Sequence, residues 1–242
     1  MAEELPILYR DEQIVVIDKP SGLLVHRSEI DRHETRFAIQ ILRDQIGQRV
    51  WAAHRLDRGT SGVLLFGLSK EIAAALGKQF EAGTVEKRYL AIVRGHPPAI
   101  GSINHALSRQ HDPYEFRGER SSTEPQPALT HCRKLAEVEL PFAVDRYPSS
   151  RYALLELEPV SGRRHQLRRH LKHIAHPIIG DATYGKGRHN RFFVDHFGCH
   201  RLLLACTKLG FCHPTNNQRL EIKAPVSGEF AATLAQLRWP LN

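Results

Sequence analysis

The stretch "HRLDRGTSGVLLF", residues 54–66, sets one carboxylate between two arginines and follows it with small residues and an apolar run. Four apolar side chains directly after Gly62 read as a strand covered on both faces. The small residues from Gly59 to Gly62 let the chain bend into that strand. Asp57 itself admits two readings. It is a turn residue, since Asp favours such positions, or a reactive carboxylate held at the rim of a cleft. A reactive carboxylate must be ionised yet partly shielded, and burying it unpaired costs several kcal/mol. A guanidinium at hydrogen-bonding distance meets both demands. Arg55, Arg58 and a basic segment near residue 168 all offer one, and spacing does not choose among them.

Outward from this stretch, "EQIVVIDKPSG" (12–22) reads as a buried strand ended by Pro20 and Gly22. Residues 36–46 place Phe37, Ile41 and Ile46 on one side of an amphipathic helix, and residues 70–83 form a second helix that stops at Gly83. Strands are expected over 87–95, 128–139, 150–160, 201–211 and 218–225. Between 163 and 174 a helix carries Leu167, Leu171 and Ile174, and a terminal helix carries Phe230, Leu234 and Leu237. Residues 101–127 are polar, contain Pro113, Pro125 and Pro127, and read as a long surface excursion. Strands outnumber helices in an irregular order, which predicts an α+β fold with a mixed, largely antiparallel central sheet.

The chain has 242 residues, and 34 Lys and Arg against 26 Asp and Glu leave a net charge of +8. Such a field attracts polyanions and favours nucleic acid as partner. Much of the charge is concentrated: Arg163, Arg164, Arg168, Arg169 and Lys172 fall within eleven residues, with no acid between Glu158 and Asp181. Like charges four apart on a helix, such as Arg164 and Arg168, repel. A bound polyanion or a buried carboxylate would offset this, unless the segment is simply a basic exposed face. The opening "MAEELPILYR" lacks the apolar core of a signal peptide, and no apolar run approaches the roughly 20 residues of a membrane span. Four cysteines without C-x-x-C spacing suit a reduced, cytoplasmic protein.

Other chemistries fit poorly. "GTSG" around Ser61 is not a G-x-S-x-G elbow. His170, His173 and His176 recur every third residue, but no H-E-x-x-H is present and Pro177 ends the segment. "GDATYGKGRHN" (180–190) lacks the phosphate-loop pattern. No cofactor and no metal are expected.

Four motifs, in order, resemble those of the RluA-type pseudouridine synthases. "HRLDRGTSG" (54–62) matches that family's H-R-L-D-x-x-T-S-G, and "KRYLAIVRG" (87–95) its K-x-Y-x-A-x-V-x-G. "PVSGRRHQLRRHLKHIAHPIIGDATYG" (159–185) is similar to its G-R-x-H-Q-[IL]-R-x-H segment and the G-H-P-I-x-G-D that follows. "IDKPSGLLVH" (17–26) resembles its opening motif. The likeness runs from about residue 7 to 225. It implies a pseudouridine synthase fold, with helices and loops around a catalytic cleft and a single catalytic domain over 1–242. No separate N-terminal RNA-binding domain is expected. Asp57 is then the catalytic aspartate, Tyr89 the tyrosine that stacks on the target base, and Arg168 the basic partner of the aspartate. Arg55 fills the place of an extruded uridine, and Thr60, Arg164, His165 and Gln166 complete the substrate site. Within the family the chain resembles the branch that modifies uridine 65 of tRNA, acting as a monomer. An rRNA target and a non-catalytic RNA-binding domain are the alternatives. One departure stands out: Ala205 occupies the place of a family histidine.

Overall fold

Among residues 4–26, 34–109 and 124–240, which the computed structural model describes, ten strands and five helices form. The first half holds β1 (Ile7–Arg10), β2 (Ile14–Lys19), α1 (Ala38–Ile46), β3 (Trp51–Ala52), β4 (Ser61–Gly67), α2 (Lys70–Glu81) and β5 (Glu86–Arg94). Then come β6 (Ile100–Asn104), β7 (Leu129–Leu140), β8 (Ser150–Pro159) and α3 (Gln166–His173). The chain closes with α4 (Gly187–Phe197), β9 (Leu204–Cys212), β10 (Arg219–Lys223) and α5 (Gly228–Gln236). All strands join one sheet in the order β1-β2-β4-β9-β5-β8-β7-β6, with β3 added beside β4 and β10 beside β9. The mixed, largely antiparallel α+β architecture expected from the sequence is therefore the one observed.

The apolar run of the opening stretch is β4, buried from Gly62 to its end. It pairs antiparallel with β2 and parallel with β9, and that parallel pairing spans only Ser61 with Ala205 and Gly62 with Cys206. This short seam joins the two halves of the sheet. Gly62 has φ +107°, and a Cβ there would lie 2.0 Å from the carbonyl oxygen of Cys206. The seam closes because position 62 has no side chain.

Beyond the seam both faces of the sheet are covered, so β5 and β8 are apolar on both sides. Leu90, Ile92, Tyr152 and Leu154 pack with Phe193 of α4 and Phe230 of α5. Their neighbours Ala91, Val93, Ala153 and Leu155 face the other way, onto Leu167 and Leu171 of α3. A separate cluster unites β2 and β4 with Leu42 of α1 and Leu76 of α2. Each such Leu or Phe, fully buried, contributes about 1.5–3 kcal/mol.

Four sequence expectations need correction. The basic helix begins at Gln166, because His165 adopts a left-handed φ of 54° and breaks the backbone pattern. Arg164 and Arg168 are thus not neighbours on one helix face. Residues 100–104 are strand β6, hydrogen-bonded to β7, so the polar excursion starts later than expected; its residues 110–123 lie outside the described residues. In α1 the fully buried positions are Ala38 and Leu42, with Ile41 and Ile46 only partly covered. Helix α4 was not anticipated; its polar start hides the pair Phe193 and Phe197, four apart, that packs on the sheet.

Gly62→Ala should lower the unfolding free energy in urea by about 2–4 kcal/mol, combining overpacking with positive-φ strain. Gly101→Ala on β6, where a Cβ would meet nothing within 4 Å, should change it by about 1 kcal/mol or less. Equal effects would mean that the seam tolerates a side chain.

Candidate active site

Residues 57–60 form a tight turn, closed by the Thr60 N–H donating to the Asp57 carbonyl at 3.0 Å. The loop after β2 staples it. Gly22 N–H donates to Arg58 O at 2.8 Å, and Ser21 Oγ donates to Gly59 O at 2.7 Å. Lys19, wholly buried, donates to the carbonyls of Pro20, Leu23 and Arg58 at 2.8, 2.7 and 3.2 Å. Before the turn, His54 stacks on Phe80 and its Nε2 accepts from Leu65 N–H at 3.2 Å. Burial, with the nearby Lys87 charge, pushes the His54 pKa down to about 3, so the ring is a neutral acceptor that anchors the turn to β4.

Asp57 emerges from this turn with its side chain 22% exposed, and Arg168 Nη1 donates to its Oδ2 at 3.1 Å. The rest of the guanidinium is held by Asp181, whose side chain is completely enclosed. Arg168 Nε donates to Oδ2 at 2.7 Å and Nη2 to Oδ1 at 2.9 Å. Asp181 Oδ1 also accepts the backbone N–H groups of Thr183 and Tyr184, each at 2.9 Å. Burial alone would raise the Asp181 pKa, but the Arg168 and backbone hydrogen bonds outweigh it and leave it lowered. For Arg168, burial opposes the charge, but Asp181 and Asp57 override it and raise the pKa. A buried bidentate pair thus fixes the guanidinium, and its remaining edge is presented to Asp57.

The left-handed turn at His165 lets α3 start where Arg168 reaches the cleft. His165 Nε2 lies 3.8 Å from Asp57 Oδ1, and its Nδ1 hydrogen-bonds the Tyr184 hydroxyl at 3.0 Å. Burial lowers the His165 pKa against the opposing pull of Asp57, with Arg168 and Arg164 adding to the lowering. Tyr184 also lies beneath Arg168, 5.1 Å from ring centre to guanidinium carbon.

Three cavities meet here, of about 1010, 110 and 520 Å³, and all three are lined by Arg55, Asp57 and His165. The smallest also holds Thr60, Tyr89 and Gln166. Burial, then Cys206 and Asp57, raise the Tyr89 pKa well above its ordinary value, so it remains a neutral phenol. Gln166 has no spare polar group. Its Oε1 accepts from Ser161 Oγ and Arg163 N–H, and its Nε2 donates to Leu129 O and Thr130 Oγ1. The largest cavity takes in Arg164 and Arg168, and the third adds Arg109, Arg163 and Arg169. The structure therefore gathers Asp57, Tyr89, Arg168, Arg55, Thr60, Arg164, His165 and Gln166 at one place. Sequence reasoning gave no role to Asp181 and Tyr184, although Asp181 is the acid of the G-H-P-I-x-G-D likeness and the first acid after the basic run. Ala205 is buried in the apolar cluster beneath the sheet.

Residues 13–173 match the family model described as RNA pseudouridylate synthase. The tRNA pseudouridine synthase C of Pasteurella multocida (strain Pm70) is 48% identical over 238 residues, covering 98% of this chain and 98% of that protein. That of Yersinia pestis is 46% identical over 235 residues, covering 97% and 91%. The Pectobacterium carotovorum subsp. carotovorum protein of the same name is 48% identical over 235 residues, but this chain spans only 62% of its length. Among solved structures, Human RNA Pseudouridylate Synthase Domain Containing 1 superposes with a TM-score of 0.70 at 28% identity, covering 93% of this chain and 85% of that one. Human RNA Pseudouridylate Synthase Domain Containing 4 gives 0.70 at 26%, covering 96% and 93%.

Breaking the buried pair with Asp181→Asn should cost about 3–5 kcal/mol of stability at neutral pH. Folding holds the Asp181 carboxyl below its ordinary 3.8. Its contribution is therefore complete above that value and is lost as pH falls through the folded-state pKa. Urea unfolding at pH 7 and pH 3 should show the wild type losing more between the two than the variant. Equal losses would remove Asp181 from the acid response.

Proposed function

Because the chain belongs to the RNA pseudouridylate synthase family, we propose that it isomerises uridine 65 of tRNA to pseudouridine, with Asp57 as the attacking group. The observation that carries this is Asp57 held by Arg168 at the junction of the cavities, beside Tyr89. The tRNA substrate follows the names of the relatives that match almost end to end. The proposal takes residues 1–242 as one catalytic domain, acting as a monomer in the cytoplasm. Among the described residues no helix is long and apolar enough to cross a membrane.

The isomerisation breaks N1–C1′, turns the uracil and joins C5 to C1′; C5 loses a proton and N1 gains one. A paired uridine hides C5, so it must leave the stack first, at a cost of a few kcal/mol. Arg55, exposed where the cavities meet, is placed to occupy the vacated position, and Arg163, Arg164 and Arg169 to hold phosphates. One carboxylate beside the sugar stabilises or traps an oxocarbenium-like C1′, as carboxylates do in glycoside cleavage. Arg168 keeps Asp57 charged and oriented for that task. The base stays bound, so no second carboxylate is needed to activate water. Tyr89 packs against the ring, and any part its hydroxyl takes in removing the C5 proton runs through the neutral phenol.

Asp57→Ala should reduce pseudouridine formation by at least about 10³-fold, while RNA binding changes by about threefold or less. Tritium release from [5-³H]uridine-labelled tRNA and filter binding measure the two. Full activity in the variant would refute the central role of Asp57. Mapping pseudouridine in tRNA and rRNA from cells lacking the protein should show loss at tRNA position 65 alone; loss in rRNA would reassign the substrate.

A further inference from the structure

Lys87 is two residues before Tyr89 on β5, so both side chains point to the same face. It is 8% exposed and lines the 110 Å³ cavity with Asp57, Thr60, Tyr89 and Leu204. One water needs roughly 10–15 Å³ on this measure, so the space accepts a small ring. Lys87 is poorly satisfied for a buried cation. Among the described residues its Nζ makes one hydrogen-bond contact, to the Ser161 carbonyl at 3.5 Å, beyond the usual range. No carboxylate of the described residues pairs with it. Lys19, the other buried lysine, shows the contrast: its ammonium is saturated by three carbonyls.

We propose that Lys87 is a base-recognition residue, its Nζ donating to a ring carbonyl oxygen, O2 or O4, of the flipped uracil. This rests on the function proposed above and adds to it. Gln166, the side-chain amide in the cavity, is consumed by the protein, and Leu56, Leu167 and Leu204 are apolar. Of the other basic residues lining the cavity, Arg168 is committed to Asp57 and Asp181, Arg163 Nε donates to Pro127 O, and His165 is bonded to Tyr184. Lys87 is well placed to meet a carbonyl acceptor there. The contact also matters to the chemistry. When N1–C1′ breaks, its electron pair passes to the uracil, where negative charge spreads over O2 and O4. An ammonium at one of them stabilises that charge more than it stabilises the neutral base. C5 then bonds to C1′, its proton leaves, and N1 is protonated. Burial lowers the Lys87 pKa, as expected of a cation short of acceptors.

The test measures single-turnover pseudouridine formation by wild type and K87M on tRNA carrying uridine, 2-thiouridine or 4-thiouridine at the target. Sulfur is the weaker acceptor. K87M should lose about 10²-fold in rate, with RNA binding and melting temperature unchanged. The wild type should slow on one thio substrate, which identifies the oxygen contacted, and K87M should treat that substrate like uridine. A K87M as fast as wild type, or equally slowed by the same thio substitution, overturns the proposal. If K87M does not fold, K87L, which also lacks a donor, takes its place in the same thio comparison. A wild type inactive on tRNA would sink the function reading itself; an active wild type matched by K87M would sink only the role of Lys87.

Discussion

One guanidinium organises this site. Arg168 gives two donors to the enclosed Asp181 and one to the half-open Asp57. The division is unequal by design of the surroundings. Asp181 is dry and additionally fixed by two backbone N–H groups, so it anchors the arginine; Asp57 keeps access to the cleft. Removing a charge from such a chain leaves another buried without its partner, which is why these groups stand or fall together.

That arrangement depends on the seam between β4 and β9. Asp57 lies four residues before the first residue of the parallel pair, and Arg201, just before β9, reaches back to Ser61 Oγ at 2.7 Å. The turn bearing Asp57 is thereby tied to both halves of the sheet, while α3 brings Arg168 from the face packed on β5 and β8. A rigid turn meeting a rigid helix places two charges without a flexible intermediary.

The two sides of the sheet handle charge differently. Alternation along β5 sends Lys87 and Tyr89 toward the cleft and Glu86 and Arg88 the other way, where Arg88, Arg133, Lys208 and Arg219 meet Glu86, Glu156, Glu158 and Glu221. That side largely neutralises itself. Around the cleft, Arg55, Arg109, Arg163, Arg164 and Arg169 outnumber Asp57 and Glu81 at the 520 Å³ cavity. The net charge of +8 is therefore most effective where a polyanion would enter.

Local physics made much of this protein legible in its sequence. Apolar runs marked β2, β4, β5 and β8, Gly83 marked the end of α2, and the acid before small residues marked the turn, since each signal lies within a few residues of its effect. Helix α4, strand β6 and the true start of α3 were hidden because packing and one left-handed residue, His165, decided them. Motif likeness gathered the candidate residues but gave no role to Asp181 and Tyr184, whose importance comes from what they touch. The sequence by itself determined that a carboxylate would sit in a turn ahead of a buried strand, with basic residues in supply. Spacing left the choice of arginine open and the family likeness pointed to Arg168; only the tertiary structure decided how that pair is fixed, through the enclosed Asp181. Arg55 and Arg58 adjoin Asp57, yet the partner is Arg168, 111 residues away, because an ion pair requires a fixed direction in space, and that direction came from a docked helix and a buried second carboxylate.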